Sequence, residues 1–101
     1  MEFINDSHEW VKLDGKVATV GITKKAGVEL GEIVFVDLPK IGQKIQKGEE
    51  VVVLESTKAA IDSYAPISGE VIEVNPNLES EPGLVNVDPE GHGWLYRVKM
   101  N

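Results

Sequence analysis

Lys58 is the side chain best placed to do chemistry. It stands between residues 51–56 and 60–64, two strand-like runs close enough to form a tight hairpin with Lys58 at or beside its tip. Its neighbours Ser56, Thr57, Ala59 and Ala60 are small, so nothing would shield its ammonium from water. That geometry suits a modifying enzyme or a swinging prosthetic group, although a solvated turn lysine is the ordinary reading of the residue types alone. Other constellations say less. Glu49-Glu50 and Glu79 with Glu81 read as solvated faces, and nothing marks a general acid–base pair. His8 and Glu9 are adjacent on a strand, which sends them to opposite faces and argues against a dyad. Asp88, Glu90 and His92 are metal-ligand types in a Gly-rich loop, but without motif spacing they read as a turn, and no metal is expected.

The chain contains no Cys, which excludes disulfides, thiolate nucleophiles, iron–sulfur clusters and cysteine zinc sites. It has no phosphate loop, dinucleotide fingerprint or nucleophile elbow. Catalysis by the chain itself is therefore not expected; such a protein must bind or carry.

The elements that position these residues are short. With 101 residues, of which 42% are hydrophobic, the chain is expected to form a single domain over 1–101 with one modest core. Ten basic against seventeen acidic residues give a net charge of −7. That surface repels nucleic acid and anionic membranes and attracts basic partners. The longest aliphatic or aromatic runs, 33–36 and 51–54, are too short to span a bilayer. The start lacks the basic and apolar regions of a signal peptide, so a cytoplasmic location is expected.

Residues 8–13 and 16–22 alternate around Asp14-Gly15, a strong hairpin signal because a type I′ turn needs positive φ twice. Residues 23–30 are the one helix candidate, capped by Thr23, weakened by Gly27 and stopped by Gly31. Strands follow at 32–38, closed by Pro39, then at 51–56, 60–64 and 71–74. Residues 84–87 read as short and extended, and 94–100 as the last strand. Trp10 and Trp94 are expected in the core. The whole reads as an all-β sandwich or barrel with one short helix. A weak repeat, Gly-Glu-Ile-Val-Phe-Val from Gly31 and Gly-Glu-Val-Ile-Glu-Val from Gly69, suggests a quasi-two-fold sandwich with the Lys58 hairpin at its junction.

The segment running from Glu55-Ser56-Thr57-Lys58-Ala59-Ala60-Ile61-Asp62 to Gly69-Glu70-Val71 resembles the lipoyl-attachment segment of the glycine cleavage system H protein family. Ser7-His8-Glu9-Trp10-Val11, Gly21-Ile22-Thr23, the run from Leu30-Gly31-Glu32 to Leu38-Pro39, and Gly91-His92-Gly93-Trp94-Leu95 match the same family in order. The resemblance implies a lipoyl/biotinyl-type β-sandwich, a barrel-sandwich hybrid, with lipoic acid in amide linkage to Lys58. It implies a non-enzymatic carrier of an aminomethyl group and reducing equivalents. The implied partners are a lipoate ligase or lipoyl transferase, a pyridoxal-phosphate glycine decarboxylase, an aminomethyltransferase and dihydrolipoamide dehydrogenase. Ser7, Glu9 and Asp62 resemble family residues near the loaded arm, and Glu55 with Asp62 would give the tip a negative collar for the modifying enzyme. A monomer is expected, since a carrier must present its tip freely.

Departures from the family are visible as well. The usual C-terminal helical segment is not found after residue 100, so the chain resembles a short form. The helix, which resembles one wall of the family's arm cleft, carries Lys24 and Lys25 where acidic and amide residues are usual, and Glu29 where some members have His. These differences leave a second reading: a short H-like carrier serving lipoyl relay or a redox or stress system, including one linked to ADP-ribosylation, with weaker support of glycine decarboxylation. A biotin carrier is disfavoured because Thr57 and Ala59, not two Met, flank Lys58. An unmodified interaction domain is the remaining alternative.

Overall fold

The first long hairpin closes where the Asp14-Gly15 pair places it, but without the expected type I′ turn: β2 (Glu9–Asp14) and β3 (Val17–Ile22) pair in antiparallel register with Asp14 opposite Val17, so Gly15 and Lys16 make the turn and, of these two, Gly15 alone has positive φ, at 62°. The computed structural model describes residues 2–4 and 8–101. Around that hairpin the described residues form β1 (Glu2–Ile4), α1 (Lys24–Leu30), β4 (Ile33–Asp37), β5 (Lys44–Ile45), β6 (Glu50–Ser56), β7 (Ala60–Tyr64), β8 (Gly69–Val74), α2 (Asn77–Ser80), α3 (Leu84–Val87) and β9 (Tyr96–Met100).

Two antiparallel sheets result, a six-stranded one in the order β1-β2-β3-β9-β8-β5 and a three-stranded one in the order β4-β6-β7. Their inward residues share one core: Val11, Val20, Val71 and Val98 from the large sheet meet Ile33, Val36, Val52 and Leu54 from the small one. The period-2 alternation of β6 explains this placement. Val52 and Leu54 are buried while Glu55 faces outward. The mainly-β sandwich expected from the sequence is the observed architecture.

The internal repeat acquires structural meaning. Its copies lie in different sheets, as β4 and β8, and each is interrupted at the same repeat position: the register shifts between Ile33 and Phe35 and again between Val71 and Glu73. The skipped residues, Val34 and Ile72, are both exposed, as expected of the extra residue in a bulge.

Other expectations need correction. Residues 84–87 are not extended but form the helical turn α3, and the fold has three short helices among the described residues rather than one. Val85 is fully buried and Asp88 N–H donates to the Leu84 carbonyl, so burial and turn closure outweigh the β-branched composition. The turn α2 begins where the Asn75 Oδ1 accepts from Asn77 N–H. Trp10 is buried as expected, its ring over Gly21 and its Nε1–H donating to Pro89 O at 3.0 Å. Trp94, however, precedes β9 and is only half-buried, with the Arg97 guanidinium 4.1 Å from its ring centre.

Candidate functional site

Lys58 lies in the turn that links β6 to β7, and Ser56 builds that turn. The Ser56 N–H donates to Ala59 O at 2.9 Å. Its Oγ accepts from the N–H groups of Lys58 and Ala59, both at 3.1 Å, and donates to Ala59 O. A hydroxyl that serves three local backbone groups replaces the ladder where it ends and holds Lys58 at the apex. A fifth bond, Thr57 N–H to Glu32 O at 3.1 Å, ties the apex to the segment between α1 and β4.

The lysine is exposed, and its side chain runs back along Gly31. Gly31 ends α1 with φ 80° and ψ −172°, a conformation open essentially to glycine. Beside it opens a groove of about 540 Å³ between α1 and α3, lined by Gly27, Val28, Gly31, Glu32, Gly83, Asn86 and Val87. Val28 and Val87 are 74% and 82% exposed, so apolar side chains stand unprotected on both of its walls. Helix α1 is seated by Thr23, whose hydroxyl accepts from Ala26 N–H, and by the Glu90 carboxylate, which accepts from Lys24 N–H at 2.8 Å.

The remaining expected site residues are distributed around this tip. Glu55 and Asp62 are exposed on the outward face of the small sheet, with Glu55 opposite Ala60 and Asp62 opposite Val53. Glu9 is 3% exposed and accepts from the Ser63 hydroxyl at 3.1 Å, whereas His8 is exposed. His8 precedes β2 and has a left-handed backbone with φ 63°, so the expected strand alternation does not reach it. Lys24, Lys25 and Glu29 are exposed on α1 but are not among the groove-lining residues. Ser7 lies outside the described residues.

Tyr96, buried near Glu9, keeps its phenol well above the usual range because burial disfavours the phenolate, with the Glu9 charge adding to the effect. At the far loop, Asp88 is held below the usual carboxylate range, first by the His92 backbone N–H and then by the His92 ring 3.0 Å away. These bonds make the Asp88–His92 segment a turn, and no cluster of three or more metal-ligand side chains occurs among the described residues. Sequence reasoning treated Gly31 only as a helix stop and missed Asn86 altogether, because Asn86 lies in the segment read as extended.

A family model for the glycine cleavage H-protein matches residues 3–101. The chain belongs to the glycine cleavage H-protein family. It is 52% identical over 101 residues to the glycine cleavage system H protein of Thermotoga maritima, covering all of this chain and 82% of that one. It is 53% identical over 95 residues to the H protein of Rubrobacter xylanophilus, covering 94% of this chain and 75% of that protein. The crystal structure of an H protein from Mycobacterium marinum superposes with a TM-score of 0.91 at 38% identity, covering 97% of this chain and 82% of that chain. For an H-protein family member, the family match favours the glycine cleavage reading over separate service in lipoyl relay or stress. No helix among the described residues is long and apolar enough to cross a membrane.

Proposed function

We propose that the chain is the lipoyl carrier of a glycine cleavage system, non-catalytic in itself, with lipoic acid in amide linkage to Lys58. The observation that carries this reading is the placement of Lys58: an exposed lysine at the apex of a hairpin, in a member of the H-protein family. The surroundings suit a long tethered group. The lysine stem lies beside Gly31, and the groove there offers Val28 and Val87 as apolar contacts. When attached, the dithiolane supplies the group-carrying and redox chemistry that a chain without Cys lacks. The chain's own part is to present the arm, keep the tip accessible and raise its effective concentration at each partner.

The partners in this reading are a lipoate ligase or lipoyl transferase, a pyridoxal-phosphate glycine decarboxylase, an aminomethyltransferase and dihydrolipoamide dehydrogenase. The protein acts as a monomer in the cytoplasm. Glu55 and Asp62 serve recognition by the modifying enzyme, Asp62 and Glu29 serve contacts with the arm, and Glu9, buried against Ser63, acts on the arm only through the fold.

Intact-mass analysis after co-expression with a lipoate ligase tests the attachment. One lipoyl group is expected on the wild type and none on Lys58→Arg, because guanidinium is a poor nucleophile. The variant should fold with stability within about 0.5 kcal/mol of the wild type, since the side chain is exposed. A lipoyl group on the variant, or on another lysine, overturns the assignment. A glycine–bicarbonate exchange assay beside a dehydrogenase assay tests the system served. Exchange with both activities intact supports glycine cleavage, and dehydrogenase turnover without exchange returns the protein to the relay reading.

A further inference from the structure

Asn86 is a half-buried carboxamide on α3 that bonds to two other elements at once. Its Oδ1 accepts from Ile33 N–H at 2.8 Å, at the start of β4. Its Nδ2 donates to Gly31 O at 2.7 Å and to Gly27 O at 3.0 Å, both at the C-terminal end of α1. The orientation of the amide is set by these partners, because an N–H can meet only the oxygen and two carbonyls can meet only the nitrogen. The carbonyls of Gly27 and Gly31 belong to the last turn of a seven-residue helix, where intrahelical partners run out. Asn86 thus supplies donors that the helix lacks, and it does so at the glycine along which Lys58 lies.

Helix and bracket are also in close contact. A Cβ at Gly27 would stand 3.1 Å from Val85 O, tighter than most Cβ contacts, so a side chain there would need α1 and α3 to give slightly. With Glu90 on the first turn of α1 and Asn86 on the last, residues 86–90 hold this wall of the groove at both ends.

We infer that Asn86 is a positioning residue for the Lys58 arm: by fastening the end of α1 to β4, its carboxamide sets the place and direction of the Gly31 backbone against which the lysine stem rests. The inference rests on Lys58 being the arm, but its test does not require the lipoyl group. In the unmodified full chain, NMR should show the Lys58 ε-methylene in contact with the Gly31 α-hydrogens. Asn86→Asp keeps the shape but loses both donors, and Asn86→Ala removes the bracket. Each should abolish that contact, and Asn86→Ala, which also removes the acceptor of Ile33 N–H, should speed amide exchange at Ile33 by at least about tenfold. Asn75→Ala is the control. Asn75 is another buried carboxamide bracket, bonding His92 O and Trp94 O away from the groove, so its loss should lower stability while the Lys58–Gly31 contact persists.

Persistence of the contact in folded Asn86→Asp overturns the inference, as does its loss in the Asn75 control. Should Asn86→Ala fail to fold, the isosteric variant still decides. Absence of lipoyl from wild-type Lys58 by intact mass would defeat the carrier reading instead, and leaves the NMR comparison to decide the role of Asn86 in placing the lysine.

Discussion

Lys58 and Gly31 are neighbours: a Cβ built on Gly31 would stand 3.5 Å from Lys58 Cε and 3.7 Å from Nζ, in ordinary van der Waals contact with the lysine stem. The glycine is needed for its φ of 80°, not for room beside the lysine. Gly31→Ala should lower stability by about 1–3 kcal/mol through backbone strain. Lipoylation should still reach Lys58, because Ser56 holds the tip independently. Urea denaturation and intact mass check the two halves; an alanine variant as stable as the wild type would contradict the strain argument.

Glu55 and Asp62 share the outward face of the small sheet, on strands that both lead to Lys58. Reversing both charges should slow attachment of lipoate, and the slowing should shrink as salt is raised, since long-range attraction acts on the association rate and is screened over about 10 Å at 0.1 M. Attachment rates measured at several ionic strengths provide the test. Equal rates for both proteins at low salt would mean that the collar only keeps the hairpin soluble.

Tyr96 brings a pH dependence. Its hydroxyl is buried and finds no hydrogen-bond partner among the described residues, and its folded-state pKa is raised by burial and by Glu9. Above the ordinary phenol value of about 10, the unfolded chain releases this proton while the native one keeps it, so unfolding is favoured as pH rises. The stability of the wild type relative to Tyr96→Phe should be constant below about pH 9 and should fall above about pH 10. At neutral pH the Phe variant should be equal to or up to about 1 kcal/mol more stable than the wild type, because an unpaired hydroxyl is removed. Denaturant midpoints across the alkaline range would show a parallel offset if this account were mistaken.

Gly21 carries the Trp10 indole directly on its backbone, and a Cβ there would overlap the ring. Gly21→Ala should displace Trp10 from its bond to Pro89 O and cost about 1–3 kcal/mol, as overpacking does. Loss of near-ultraviolet tryptophan signal together with a lower melting temperature is the expected result.

What the sequence determined by itself is local. The Asp14-Gly15 hairpin, the alternation that buries Val52 and Leu54, the Thr23 cap and the apex position of Lys58 all follow from turn chemistry and a period of two, which act over a few residues. The repeat marked out the segments that become β4 and β8, but not the bulges at Val34 and Ile72. What only the tertiary structure decided depends on partners far along the chain. Residues 84–87 have a strand-like composition, yet Val85 is drawn into the core and Asn86 finds the carbonyls of Gly27 and Gly31, so a helical turn wins. Glu9 carries a polar side chain on a strand, and only its Ser63 partner across the sandwich shows why it is buried. Lys58 could be placed at a tip from spacing alone, but its rest against Gly31 required α1, α3 and the small sheet to meet, because packing rather than local preference settles which backbone a long side chain follows.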